Sequence, residues 1–282
     1  MSVLTVFAKR FITGETMESA VEAVRRLNRM GMFATIDILG ENVRSQQQAT
    51  RAADNYINLL KTIAASGIDS HISIKLTQMG LDISDEFCFD NVSRILETAA
   101  GLKNFVRVDM EGSLYTERTL NLVYRWHEKY GNVGAVIQAY LYRSEADVAE
   151  CIRRGISVRL CKGAYREPKE VAFQAKEAVN ANFVKLAEML LKSGHYPAIA
   201  THDGKMVEAA IDQANRLNKR NGEFEFQMLY GINRSGQREL VRKGYRMRIY
   251  TPFGTHWFPY YLRRLRERKE NIFFIMRHFF RD

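Results

Sequence analysis

Apolar residues fall along this chain in two alternating rhythms. Short runs in which nearly every position is apolar, such as Phe33-Ala34-Thr35-Ile36-Asp37-Ile38-Leu39, give way to longer stretches in which apolar residues return every three or four positions. The first rhythm belongs to a strand buried on both faces and the second to an amphipathic helix, so each pair reads as a βα unit. After a short N-terminal helix over residues 17–30, the strand at 33–39 is followed by Gly40-Glu41 and a helix over 45–66. The pair then recurs as strand 71–76 with helix 85–100, strand 105–110 with helix 114–130, and strand 134–139 with helix 145–154. Strand 157–161 leads to a long helix over 169–192, strand 198–201 to helix 205–221, and strand 225–229 to helix 237–242. An eighth strand, 246–250, precedes a last helical stretch. Eight such units in 282 residues predict a single-domain α/β chain folded as a (β/α)8 barrel, a fold of about 250 residues. The alternative is a doubly wound open sheet, but no Gly-x-Gly-x-x-Gly follows any strand.

A barrel gathers its chemistry where strands end. In order, the predicted strand ends carry Asp37, Lys75, Asp109, Gln138, Arg159 with Lys162, Thr201-His202-Asp203, Gln227 and Tyr250. Any one of them could be a satisfied core polar group or a cap; polar residues at every end make a site the stronger reading. Lys75 and Asp109 form either a pair that positions a ligand or a structural salt bridge. Arg159 and Lys162 bring two positive charges to one loop, and Gly163-Ala164 lets the backbone approach a flat or phosphorylated ligand closely. Thr201-His202-Asp203 lacks a second histidine at ligand spacing, so hydrogen bonding is favoured over metal binding. Beyond the eighth strand, Tyr260, Arg263, Arg264 and Glu267 are spaced i, i+3, i+4 and i+7, one stripe on a helix. A stripe of that period is normally apolar; this one suits an anion held by two guanidinium groups, or else is a solvated face with an ordinary ion pair.

Charge and composition narrow the classes. A net charge of +10 admits nucleic acid, an anionic membrane surface or acidic ligands, but no RNP, zinc-finger or basic-zipper pattern accompanies it, and no nucleic-acid partner is expected. Cys88, Cys151 and Cys161 are widely spaced, which predicts reduced thiols, a cytoplasmic setting and no structural metal. No apolar run approaches the roughly 18–20 residues of a membrane span. The tail, residues 271–282, mixes phenylalanines with cations, which predicts peripheral contact with the inner face of the cell membrane; the competing reading packs these rings on the barrel.

Several segments together carry a resemblance. Ile74-Lys75-Leu76-Thr77, Arg107-Val108-Asp109-Met110-Glu111, Gln138-Ala139-Tyr140-Leu141, Val158-Arg159-Leu160-Cys161-Lys162-Gly163-Ala164-Tyr165, Ala200-Thr201-His202, Phe226-Gln227-Met228-Leu229 and the stretch 250–267 resemble the proline dehydrogenase family, in particular its monofunctional bacterial members. The resemblance implies a distorted (β/α)8 barrel with the last helix over its mouth, FAD held without a dinucleotide-binding motif, L-proline as substrate, 1-pyrroline-5-carboxylate as product and a quinone as electron acceptor. It assigns Lys75, Arg263 and Arg264 to the substrate carboxylate, with Asp109 supporting Lys75 and Glu267 supporting the arginines. Leu229, Tyr250 and Tyr260 would line the proline ring. Arg159 would lie at the flavin edge, Gln138 at the flavin ring, and Met110, Lys162, Gly163, Ala164, Tyr165, Thr201 and His202 along the rest of FAD. The chain departs from the family pattern at Asp203, where Asn is frequent. A rival enzyme reading is a Schiff-base aldolase using Lys75 or Lys162, and a second rival is a non-catalytic anion binder driven by the basic C-terminal half.

Overall fold

The computed structural model describes residues 11–255, so Tyr260, Arg263, Arg264, Glu267 and the tail lie outside the described residues. Helix α1 (Met17–Arg29) precedes eight parallel strands, β1 (Phe33–Ile38), β2 (Ser70–Ile74), β3 (Val106–Val108), β4 (Val133–Gln138), β5 (Val158–Cys161), β6 (Ala198–Ala200), β7 (Glu225–Leu229) and β8 (Arg246–Phe253). The strands form a closed barrel in chain order, and β1 pairs with β8 from Phe33↔Arg248 to Ile38↔Phe253. Between them run α2 (Gln46–Ser66), α3 (Asp85–Gly101), α4 (Ser113–Tyr130), α5 (Ser144–Arg153), α6 (Lys176–Ser193), α7 (Gly204–Arg216) and α8 (Arg234–Arg242). The barrel reading therefore holds, and the open sheet does not.

The apolar core lies between strands and helices. Tyr56, Trp126, Phe183 and Phe226 are fully buried there, each supplied by the apolar stripe of its helix or the outward face of its strand, and Phe224 joins them from just before β7. Helix ends follow local chemistry: the Ser45 and Ser84 side chains accept from Gln48 N and Phe87 N, and Gly67 ends α2 in the left-handed conformation.

Three helix boundaries differ from those expected. The helix predicted over 169–192 begins only at Lys176, because the segment before it is committed elsewhere: the Glu167 carboxylate accepts from Ser113 N at 2.7 Å and from the Ser113 hydroxyl, and Leu141 forms a bridge to Ala172. The helix predicted over 205–221 ends at Arg216, where Asn218 turns left-handed at φ 53°. The last one starts earlier than predicted, at Arg234, because Asn233 caps it by accepting from Gly236 N. None of these shifts moves a strand end.

Candidate active site at the barrel mouth

Strand alternation sends every second residue into the lumen. Arg159 of β5 bonds to Ser73 of β2, to Asp109 directly after β3 and to Gln227 of β7, none of these strands a neighbour of β5, so its side chain crosses the interior. In place of the bulky aliphatic residues that usually fill such a barrel, this lumen holds Arg107, Arg159, Arg248, Glu225 and Gln227, all buried.

At the mouth, Lys75 follows directly on β2 and is 6% exposed. Its Nζ donates to Asp37 Oδ2 at 2.8 Å, to the Tyr250 hydroxyl at 3.3 Å and to Asp109 Oδ2 at 3.4 Å. Asp109 is thus a partner of Lys75, as expected, but the shorter contact is to Asp37, a strand-end carboxylate to which the sequence reading gave no role. Its signal was available, a lone charge inside an apolar strand. Tyr56 of α2 donates to Asp37 Oδ1 at 3.1 Å and completes that carboxylate. Burial alone would discharge Lys75; the adjacent Asp37 and Asp109 carboxylates outweigh it and hold the ammonium well above its ordinary range.

Asp109 accepts from the Tyr250 hydroxyl at 2.7 Å, from Ser73 Oγ at 2.5 Å and from Arg159 Nη1 at 2.8 Å. Against the cost of burial, Lys75 and Arg159 hold its carboxyl below the usual carboxylate range. The Tyr250 phenol is pushed well up by burial and by Asp109, so it stays protonated and donates. The Arg159 guanidinium also lies 5.3 Å from the centroid of the Tyr250 ring, and its Nε donates to Gln227 Oε1 at 2.5 Å. Lys75, Asp109, Arg159 and Tyr250 therefore form one connected network, the first four of the expected site residues to be brought together.

The remaining assigned residues line the adjoining side. Gln138 at the end of β4 donates from Nε2 to Glu111 O at 2.9 Å and accepts at Oε1 from Ala164 N at 3.1 Å, which ties it to the loop after β5. Gly163 has φ +132°, and a Cβ there would lie 2.5 Å from the Tyr140 ring, so only glycine lets this loop pass. Lys162 donates to Asp203 Oδ2 at 2.7 Å, and Asp203 caps α7 by accepting from Lys205 N. Thr201 Oγ1 accepts from Asp203 N, while His202 Nε2 accepts from Leu229 N at 3.3 Å, which brings Leu229 to the same rim. Met110, two residues past β3, is buried. Tyr140, Lys162, Gly163, Tyr165, Lys176 and Asn180 border a cavity of about 320 Å³.

With this geometry in place, comparison with known proteins is decisive. A family model described as proline dehydrogenase matches residues 20–277. The chain belongs to the proline dehydrogenase family. It is 41% identical over 269 residues to "Proline dehydrogenase 2" of Bacillus subtilis (strain 168), covering 95% of this chain and 89% of that one. It is 38% identical to "Proline dehydrogenase" of Deinococcus radiodurans, covering 95% of this chain and 88% of that one. Among solved structures, proline utilization A from Bdellovibrio bacteriovorus inactivated by N-propargylglycine superposes with a TM-score of 0.87 at 28% identity. That match covers 93% of this chain and 32% of the other, so the chain spans about a third of that longer protein. A proline dehydrogenase is an oxidoreductase, and for Lys75 the aldolase reading falls on physical grounds as well. Schiff-base formation needs a neutral amine, whereas Lys75 is held as an ammonium between two carboxylates.

Proposed function

We propose that the protein oxidises L-proline to 1-pyrroline-5-carboxylate with FAD as its bound cofactor and a quinone as the final electron acceptor, the first step of proline breakdown. The observation that carries this reading is a leftover valence. Arg159 uses Nε on Gln227 and Nη1 on Asp109 and Ser73, while its buried Nη2 has no hydrogen-bond partner among the described residues. An unmet buried donor costs about 1–3 kcal/mol, so an arginine kept in this state fits an acceptor supplied by a ligand, as the edge of a flavin would. The second fit is the loop at Gly163, whose close backbone passage beside Lys162 suits a planar, phosphorylated group.

Bound FAD would supply the two-electron acceptor for a hydride leaving the ring carbon next to the proline nitrogen. Arg159, Gln138, Met110, Lys162, Gly163, Ala164, Tyr165, Thr201 and His202 would hold it. The chain's own residues then bind and orient the substrate. Lys75, whose three donors are held by Asp37, Asp109 and Tyr250, would lend its positive charge to the substrate carboxylate, joined in this reading by Arg263, Arg264 and the supporting Glu267. Tyr250 presents its ring as a wall of the pocket, with Leu229 and Tyr260, while its hydroxyl is fixed by Asp109. Neither Lys75 nor Tyr250 is in a state to take a proton, so their work is positioning. The 271–282 tail is proposed to touch the membrane that holds the quinone.

The test is the absorption spectrum of the purified protein. A flavin spectrum that bleaches on anaerobic addition of L-proline, and recovers with a quinone, is the expected result; a colourless protein without proline oxidation overturns the reading. Co-sedimentation with liposomes of full-length protein but not of protein lacking residues 271–282 is expected for the tail.

A further inference from the structure

Gln227 stands on β7 between two opposite charges. Its Oε1 accepts from Arg159 Nε at 2.5 Å and its Nε2 donates to Glu225 Oε1 at 2.5 Å. Glu225 is itself immobilised, because Arg248 Nε reaches its two oxygens at 2.8 and 3.1 Å and the Tyr196 hydroxyl donates to Oε2 at 3.2 Å. Arg248 is anchored in turn on the carbonyl of Ala34 at 2.8 Å. Arg159, Glu225, Gln227 and Arg248 are all buried.

This arrangement permits the amide only one orientation. Turned over, its NH2 would face the guanidinium donor and its oxygen would face the carboxylate, so both bonds would become repulsions. Gln227 therefore converts the acceptor of Glu225 into an acceptor for Arg159. A carboxylate in direct contact would neutralise the arginine; an amide orients it and leaves its charge unshared on that side. Asp109 holds Nη1 from the other end, and with both nitrogens fixed the plane of the guanidinium and the place of Nη2 are determined.

We propose that Gln227, backed by Glu225, is a positioning residue for the reaction, setting the guanidinium plane of Arg159 so that its remaining donor is presented to the cofactor. The inference rests on the flavin reading above. It differs from a structural role in one respect that can be measured: Gln227 acts through Arg159, so its removal should matter only while Arg159 is there.

The experiment is a double-mutant cycle on the holoenzyme with Gln227→Met, Arg159→Met and the pair. Gln227→Met is expected to lower kcat about tenfold with KM for proline within about twofold, because the substrate carboxylate does not contact Arg159 in this reading. It should weaken binding of reduced relative to oxidised flavin about tenfold, a fall of about 30 mV in midpoint potential for a two-electron couple. In the Arg159→Met background the same change should alter neither quantity. Loss of kcat and potential of equal size in both backgrounds overturns the proposal, as does a Gln227→Met enzyme with unchanged kcat and potential and only a lower melting temperature. Should Gln227→Met not fold, Gln227→Asn keeps the amide but is one methylene too short to reach both Glu225 and Arg159; a lower potential supports the link and an unchanged one overturns it. A colourless wild type overturns the cofactor reading and this inference together, whereas a yellow wild type with an indifferent Gln227 overturns the inference alone.

Discussion

The floor and the mouth of this barrel are built from the same residue types and behave differently. On the floor, Arg107 donates from Nη1 to the carbonyls of Ser157 and Ala135 at 2.6 and 3.0 Å and from Nη2 to Ser157 Oγ at 3.0 Å, while Arg248 and Glu225 clasp each other. Burial, with Arg159 close by, lowers the Arg107 guanidinium to about 9, yet it is held by two backbone carbonyls and the Ser157 hydroxyl. At the mouth, Lys75, Asp37, Asp109, Arg159 and Tyr250 share partners among themselves, and the network ends with Nη2 of Arg159 unsatisfied among the described residues. Buried charge alone does not mark a functional site. What separates the two regions is whether the protein consumes every donor it buries.

The largest expected effect breaks the floor. Glu225→Leu strands Arg248 without a counter-charge in a fully buried position, and removing one partner of such a pair costs about 3–5 kcal/mol. Urea denaturation should show a loss of that size. The same residue sets an acid limb. Burial opposes the charge of Glu225, but Arg248 outweighs it and holds the carboxyl at about 2 against an ordinary 4.5. A depressed carboxylate contributes stability that is fully present above its unfolded value and is lost as pH falls through the folded one. Wild type should therefore lose on the order of 3 kcal/mol between pH 4.5 and 2 from this group, and a folded Glu225→Gln variant should show a shallower limb, compared by denaturation at successive pH values. Asp109 titrates in the same direction and adds to the limb in both proteins.

At the mouth the balance reverses. Arg159→Met removes a cation whose valences are only partly met, and Asp109 keeps Ser73, Tyr250 and Lys75. Stability should fall by about 1–3 kcal/mol, the cost of leaving the buried Gln227 Oε1 without its donor. Activity should fall by about 10–100-fold, the equivalent of one charge-assisted contact of 1.5–3 kcal/mol at the reacting centre. A variant that loses stability as severely as Glu225→Leu and keeps its kcat would erase the distinction between floor and mouth.

The fold was legible because apolar runs and helical stripes alternate without interruption, and each strand end could be placed within a few residues. The segment before α6 was not, because Glu167 and Ala172 are committed to Ser113 and Leu141, partners far away in the chain that no local period reveals. Lys75, Asp109, Arg159 and Tyr250 were legible as polar residues at strand ends, and their grouping needed only the barrel. The nearer partner of Lys75 was missed, since Asp37 and Asp109 are equivalent from sequence and only the register of β1, β2 and β3 favours Asp37. Glu225 carried a signal that went unused: it stands two residues before the strand-end Gln227, two polar residues at i and i+2 in a buried strand share one face, and in a closed barrel that face is the lumen.

The smallest expected effect concerns Asp203, on the rim beside the mouth. Its carboxylate occupies Lys162, which the flavin reading assigns to the cofactor, and the two side chains are 30% and 26% exposed. Hydrogen bonding to Lys162, against the cost of partial burial, holds the carboxyl below its usual range, so the lysine faces a full negative charge at working pH. A ligand phosphate must compete with that charge. Asp203→Asn removes the competitor and keeps the cap on α7, because Asn accepts a hydrogen bond from a helix N-terminus as well as Asp does. Pairs this exposed are worth up to about 1 kcal/mol, which corresponds to about a fivefold tighter Kd for FAD. Titrating the apoenzyme with FAD and following flavin fluorescence measures the change, with the melting temperature of the apoenzyme as the control for the cap. An unchanged Kd beside an unchanged melting temperature would show that Lys162 does not serve the cofactor, and would return the Lys162–Asp203 pair to the floor's category of charges that only hold the fold.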